Sequence, residues 1–410
     1  MLRNRTLLTV SVAVSAAYIG IGMVVPVRVL YAQSQGASLA IIGAMASAYL
    51  VSSFLFQYPS GWLADRWGRK PMIIASLLGQ ALLSVVYLWI SDPVLFVVLR
   101  FAEGAVAAAF LPSARALIAE AVPAEKRGEA YGIFSAFFNA GFLFGPALGG
   151  LVAGLGYAPP FLGAALFRLV ALALVLALIH PTATTRQPEE SAPVRLGTLF
   201  TLPLAASYLL AFGDYLYLGF DITLFPLWMH DHLGASVTWI GILYMFWAVP
   251  GILLAPFAGR VADRRRRSTI MLIFGLGQVP LYVIYGLANA FLLVGALFVV
   301  HGTLYAFIQP AVDSHVATAA ASQARARIMG LYSAFGLFGG FVGANGFSIL
   351  YGWDFRYPLF ALALGYGACV LIGGLLIRRA EQKYRWLYKP RAPREPALVE
   401  TAQPVVTPGD

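Results

Sequence analysis

Charge is scarce in this chain. Asp, Glu, Lys and Arg make up 11% of its 410 residues, against about 25% in an ordinary soluble domain. With 60% hydrophobic residues and a mean hydropathy of +0.77, that shortage excludes a soluble enzyme. Cysteine is scarcer still. The single Cys369 permits no internal disulfide and no multi-cysteine metal site, and it reads as a small apolar residue in a late span. No G-x4-G-K-[ST] stretch exists, so nothing supports drive by ATP. H-E-x-x-H and G-x-S-x-G are missing as well, so no catalytic set marks an intramembrane hydrolase. His230-Asp231-His232 imitates a metal pair, but no third ligand stands near it, and neither a metal nor a cofactor is expected. A net charge of +10 would suit a nucleic-acid binder. The positions of the charges assign it to membrane topology instead.

What is abundant is apolar length. Crossing a bilayer takes about 20 predominantly apolar residues. Runs of that kind occupy roughly 7–31, 39–60, 71–90, 94–119, 128–154, 159–180, 200–229, 236–258, 268–288, 291–318, 327–351 and 355–379. The expectation is an all-α protein that spans a membrane twelve times. Arg3 and Arg5 before the first run imitate a signal peptide, but that run is too long and eleven more follow it, so it reads as an uncleaved span.

The basic residues orient the spans. If every second connection, beginning with the N-terminus, is cytoplasmic, that side holds 23 of the 28 Lys and Arg residues. The opposite side holds Arg356 alone; Arg28, Arg100, Arg115 and Arg168 fall within spans. Such a split predicts both termini on the cytoplasmic side of a plasma membrane, in a bacterium the inner one. Pro181 to Leu199 is polar and carries Pro188, Glu189, Glu190 and Pro193, the composition of a linker. The expected organisation is a six-helix bundle over 1–180, a linker over 181–199, a second bundle over 200–379 and a tail over 380–410, disordered from about Pro390.

A repeat supports the division into halves. The charged stretch Gly61-Trp62-Leu63-Ala64-Asp65-Arg66-Trp67-Gly68-Arg69-Lys70 lies between two spans. In hydrocarbon each of its charges would cost about 2.5–3.5 kcal/mol, which predicts a tight surface loop. Moving 198 positions on gives Gly259-Arg260-Val261-Ala262-Asp263-Arg264. At the same offset Gly104 meets Gly302, Pro112 meets Pro310 and Arg127 meets Arg325. Gly132, Gly141 and Gly145 meet Gly330, Gly339 and Gly343. Two parallel six-span copies are a transporter architecture, with the substrate site between them near the midplane.

The chain resembles the major facilitator superfamily over about residues 1–380. Gly61 to Lys70 matches the family signature between spans two and three at every position. Arg100 and Gly104 match its fourth-span arginine and glycine. Gly132, Gly141, Gly145, Pro146, Gly149 and Gly150 match the fifth-span pattern G-x8-G-x3-G-P-x2-G-G of twelve-span drug–proton antiporters. The resemblance implies two pseudo-symmetric six-helix bundles and proton-coupled efflux by a protein that works as a monomer. One departure stands before the fourth-span glycine, where relatives usually carry glutamine and this chain carries Glu103.

Within that frame the candidate residues take roles. Gly61, Asp65, Arg66, Gly68, Arg69 and Lys70, with Asp263 in the second copy, form a conformational latch. Asp65 meets a neighbouring helix N-terminus, and the basic residues pair with acids such as Glu125 or Glu129. A merely topological anchor is the alternative. Gly141, Gly145 and Gly149 share one face of span five, where small residues allow close packing in lipid, and Pro146 bends the helix.

Charges inside the membrane should face a cavity or a partner. Asp214 lies about 14 residues into span seven, or roughly 21 Å. Asp221 is seven residues further on nearly the same face. Glu103 and His301 occupy equivalent repeat positions. Because desolvation disfavours a lone charge, such groups suit a site that binds a proton facing one side and releases it facing the other. Asp214 and Glu103 lead, with Asp221 and His301 behind. Glu103 could instead be neutralised by Arg100, and Asp221 by Arg28. Arg115 and Asp313, another repeat pair, are candidates to meet when the cytoplasmic side closes. Tyr18, Tyr215, Trp247 and Tyr305 lead the aromatic candidates for a lipophilic site, with Tyr208, Tyr217, Phe220 and Phe307 also in view. Alternatives on the same fold are a lipid or lysolipid translocase, an exporter of a polar metabolite such as a sugar, and a transport-dead sensor.

Overall fold

The computed structural model describes residues 4–123, 126–179, 197, 199–319 and 325–384. Apart from single turns, every element among the described residues is a helix. The first three spans are α1 (Arg5–Ser34), α2 (Leu39–Trp67) and α3 (Arg69–Val86). The fourth is α4 (Pro93–Ala107) followed by α5 (Phe110–Ala121). α6 (Arg127–Ala153) and α7 (Ala158–Leu178) complete the first half. The seventh span is α8 (Leu202–Thr223) followed by α9 (Phe225–Asp231), and the eighth is α10 (Val237–Arg264). The ninth runs from α11 (Arg267–Ile270) through a π-helical turn (Met271–Gly275) into α12 (Leu276–Leu287). α13 (Phe291–Ala319), α14 (Arg325–Trp353) and α15 (Tyr357–Lys383) end the bundle.

Eleven of these spans are long and apolar enough to cross a membrane. α8 falls short because Asp214, Asp221 and several tyrosines dilute its leucines. The two split spans each break beside a proline. Proline lacks an N–H and its ring clashes with the carbonyl four residues earlier. Pro112 acts so on Ala108, beside the break between α4 and α5, and Pro226 acts on Ile222, beside the break at Leu224. Asn4, Ser38 and Ser236 each accept a hydrogen bond from the backbone N–H three residues on, which caps α1, α2 and α10. Trp62, Trp67, Trp89 and Trp353 are exposed near span ends, where amphipathic rings favour the membrane interface.

The expected loop at Gly61 to Lys70 is corrected. Gly61 to Trp67 continue α2, and the reversal falls on Gly68 alone, at φ +95°. Arg69 already opens α3. A helix satisfies its own backbone, so charged residues at the membrane edge need not leave it. The second copy behaves alike, since α10 continues to Arg264. Residues 181–196 and 198 of the expected linker, and the tail beyond 384, lie outside the described residues.

The repeat is visible in the packing. α1 lies on α6 as α8 lies on α14, and α2 lies on α4 as α10 lies on α13. A Cβ on Gly104 would strike the Tyr49 carbonyl, and one on Gly302 would strike the Trp247 carbonyl; Tyr49 and Trp247 are themselves 198 apart. Along α1 and α8 the register is 197 rather than 198. Gly141 faces Ser15 and Gly339 faces Phe212; Gly145 faces Ile19 and Gly22, and Gly343 faces Leu216 and Gly219.

Two seams join the halves, α2 against α14 and α6 against α10. Gly43 lies on the Ala344 carbonyl and Gly241 on the Pro146 carbonyl. Both partners are 198 apart, so a pseudo-two-fold exchanges the seams. Among the described residues, hydrogen bonds join the halves on this side, remote from Gly68: Gln33 to Asp231 at 2.9 Å, Thr238 to the Gly150 carbonyl at 2.8 Å, and Asn345 to Ser47. On the Gly68 side the described polar contacts stay within a half. Arg69 reaches Glu120, Lys70 the Leu176 and Ile179 carbonyls, and Ser268 binds Glu381. The conformation is one closed on the side remote from Gly68.

Candidate functional site

Among the described residues, a polar node stands at equivalent places in the two halves, around Glu103 and around His301. In the first, Glu103 lies one residue before the glycine that seats α4 on α2, so it points into the bundle and is buried. Arg28 of α1 meets its Oε1 at 3.1 Å and Arg100 meets its Oε2 at 2.7 Å. Arg168 of α7 stands 3.8 Å away. The Tyr87 hydroxyl donates to the same carboxylate at 3.4 Å. Arg168 also donates to Ser84 and to the Gln80 carbonyl. Arg100 lies 4.1 Å from the centre of the Tyr49 ring, a cation–π contact in a desolvated setting.

In the second half His301 takes the equivalent place and is buried. Its ring nitrogens lie 3.2 Å from Gln278, 3.4 Å from Tyr282 and 3.4 Å from Tyr285. Tyr217 packs edge-on against it at 5.0 Å, and Phe298 lies parallel at 6.1 Å. Gln80 and Tyr87 stand 198 positions before Gln278 and Tyr285. One scaffold therefore carries ions in the first half and neutral rings in the second.

The two aspartates of α8 sit apart. Asp214 lines a cavity inside the second half with Gln309, Tyr332 and Tyr366, next to the π-helical turn at Met271 and Gly275. π-turns in helices often mark functional sites. Asp221 lies near Tyr217 and Tyr244, and its Oδ1 is buried without a hydrogen-bond partner. Arg28 pairs with Glu103 and not with Asp221.

The remaining candidates are distributed as follows. Asp65 is 68% exposed and pairs with Arg69 at 2.5 Å. Arg66 lies over the Trp62 ring. Arg69 takes Glu120 as its acid at 3.3 Å, where sequence had offered Glu125 or Glu129; Glu125 is outside the described residues. Of Asp263 and Asp313 only the backbone is described, so the Arg115–Asp313 approach lies outside the description; Arg115 itself is exposed. Tyr18 packs against Phe110, Phe138 and Phe142 within the first half. Tyr215 rests on Gly336. Trp247 and Tyr305 pack together at 5.2 Å, and the Tyr305 hydroxyl donates to Gln309 at 3.0 Å. His230 faces the Ala235 carbonyl at 3.2 Å and His232 stacks on Phe355 at 4.0 Å.

Sequence reasoning missed Arg168, Tyr87, Gln278 and Tyr285. The repeat would have found three of them, because Gln80/Gln278 and Tyr87/Tyr285 keep its offset. Arg168 carried the general signal of a cation deep in a span, which demands a partner.

Twelve spans in two halves related by a pseudo-two-fold, with ionisable residues between and within them, define a polytopic membrane carrier and not an enzyme. The chain belongs to the Major Facilitator Superfamily, whose sequence model matches residues 10–344 and 209–407. It is 24% identical to the quinolone resistance protein NorA of Staphylococcus aureus over 375 residues, covering 90% of this chain and 94% of that protein. It is 23% identical to multidrug resistance protein 2 of Bacillus subtilis over 368 residues, covering 86% and 91%. The nucleoside transporter NupG shares the fold with a TM-score of 0.75 at 14% identity, covering 91% of this chain and 99% of that one. A D-xylose–proton symporter does so with a TM-score of 0.73 at 16% identity, covering 91% and 96%.

Proposed function

We propose that this carrier exports small lipophilic or amphipathic compounds by alternating access, in exchange for protons, with its termini in the cytoplasm. The relatives named for quinolone and multidrug resistance support the direction and the kind of cargo. The observation that carries proton coupling is Asp221, a carboxylate whose Oδ1 is buried and unpartnered in this conformation. The Tyr217 and Tyr244 hydroxyls stand at the same carboxylate, yet a buried oxygen left without a donor is costly unless a proton or a rearrangement satisfies it. Asp214, beside the π-helical turn, is the second proton site. Glu103 serves as counter-ion to three arginines.

The test is dye flux from proteoliposomes under an imposed pH gradient. Asp221→Asn and Asp214→Asn are each expected to abolish gradient-driven flux while downhill exchange of the dye persists. Normal coupling in both variants would remove the proton assignment.

The latch reading gives a second expectation. In this conformation Asp65 is largely exposed and its partner Arg69 keeps Glu120 as a second acid, so the loss of one pair at the surface costs about 0–1 kcal/mol. Asp65→Asn should therefore leave the thermal stability of the purified protein nearly unchanged. It should slow transport and shift the balance of conformations by about 5-fold or more, in line with ordinary coupling energies. Distance distributions between spin labels on α2 and α14, taken beside the flux, check both halves of that statement; unchanged distributions would reduce Asp65 to a topological anchor.

A further inference from the structure

The first half holds more positive charge in its interior than its own acid neutralises. Arg28, Arg100 and Arg168 share the single carboxylate of Glu103. Among the described residues no second carboxylate lies within ion-pairing distance of the three. The Nε atoms of Arg28 and Arg168 are buried and have no hydrogen-bond partner. Three cations that share one counter-ion at membrane depth are expensive, and ionisable groups that persist there commonly mark a site.

The fold does not require this charge. At the repeat positions of Arg100, Glu103 and Arg168 the second half carries Phe298, His301 and Tyr366, each 198 residues on. In the register of α1 and α8, Arg28 corresponds to Phe225, 197 residues on. Those neutral side chains fill the same scaffold, down to the tyrosine hydroxyl contact, which Tyr87 makes to Glu103 and Tyr285 to His301. Apolar groups of similar volume commonly replace a buried ion cluster without loss of stability.

Open space adjoins the excess charge. Arg28 and Arg100 line a cavity with Val25, Val29, Met45 and Ile222. Ile222 comes from α8, so the cavity lies between the halves, and its remaining walls are apolar.

We propose that Arg28 and Arg100 form an anion subsite, which takes the carboxylate of a substrate whose apolar body lies along Val25, Met45 and Ile222. A guanidinium matches a carboxylate in charge and in planar geometry. The proposal rests on the transport reading of this cavity and adds the charge class of its cargo.

The test compares 2-naphthoate with its neutral isostere 2-naphthamide. Binding of each to the purified full-length protein is measured by calorimetry, and flux of each from proteoliposomes beside that of ethidium. The unmodified protein is expected to bind the carboxylate at least about tenfold more tightly than the amide. Arg28→Gln should bring that ratio close to one, and Arg28→Lys should retain most of it. Ile222→Glu approaches the question from the opposite wall, leaving the arginines intact. Its carboxylate should occupy the subsite from within and remove the preference. A ratio near one in the unmodified protein overturns the subsite, as does a ratio that survives both Arg28→Gln and Ile222→Glu. If ethidium is transported in that case, the transport reading stands without the subsite. Preferential binding with no flux of any probe supports the subsite and overturns the transport reading.

Discussion

Replacing Gly145 by leucine is expected to abolish transport while leaving membrane insertion intact. A Cβ at this position would lie 2.7 Å from the Gly22 Cα and 2.7 Å from the Ile19 carbonyl oxygen. Both are backbone atoms of α1, so no side chain can rotate away. The helices must separate, and overpacking of this kind costs about 1–3 kcal/mol or more. The neighbours admit no such separation cheaply, because Gly141 and Gly149 seat the same two helices one turn to either side. Further along α6, Gly150 lies against Val237 and Gly241 of α10. A shift of α6 is therefore transmitted to the seam between the halves, which is where the proposed alternating access would hinge. Gly343→Leu should behave alike, since its Cβ would lie 2.6 Å from the Leu216 carbonyl. Gly132→Leu and Gly330→Leu are the controls. Neither has an atom within 4 Å of its would-be Cβ, so both should leave this conformation undisturbed. Size-exclusion profiles and flux, taken together, check the set. Full activity in Gly145→Leu would show that the α1–α6 seam is not needed for the cycle.

Gly61 teaches the complementary lesson. It stands in the family signature, yet a Cβ added there would meet no neighbouring helix or side chain within 4 Å in this conformation.

The spans were legible because hydrocarbon imposes a long apolar run on any helix that crosses it, and the halves because glycine at a close helix contact has few substitutes. Other features were hidden for physical reasons. A helix at the membrane edge can carry charged residues without leaving helical geometry, so Asp65 and Arg66 looked like a loop and are helix. The register of α1 on α8 differs by one residue from the rest of the repeat because loops absorb single insertions at little cost. Ion partners were the least legible. Arg28 lies 75 positions from Glu103 and Arg168 lies 65 beyond it. Pairing over such separations depends on which helix faces which, and hydropathy does not carry that information.

Glu103→Gln is therefore expected to fail by loss of the fold. The carboxylate stands within 4 Å of three guanidinium groups, and its own side chain is 5% exposed. Removing the charge leaves three cations facing one another with no counter-ion. Breaking a buried ion pair by deleting one partner costs about 3–5 kcal/mol, a large share of the stability of an ordinary domain. Thermal unfolding of the purified protein should show that loss directly, at every pH where the arginines stay charged. A graft of the second half's solution separates this cause from simple loss of packing. Arg28→Phe, Arg100→Phe, Glu103→His and Arg168→Tyr, made together, replace the ions with the neutral set that already fills the equivalent space. The grafted protein should recover most of the stability lost in Glu103→Gln, although each arginine has been removed. It should also lose any preference for anionic ligands, because the charge that attracts them is gone. Equal destabilisation of the graft and of Glu103→Gln would show that the two nodes are not interchangeable. The excess charge would then be held for the fold and not for a ligand.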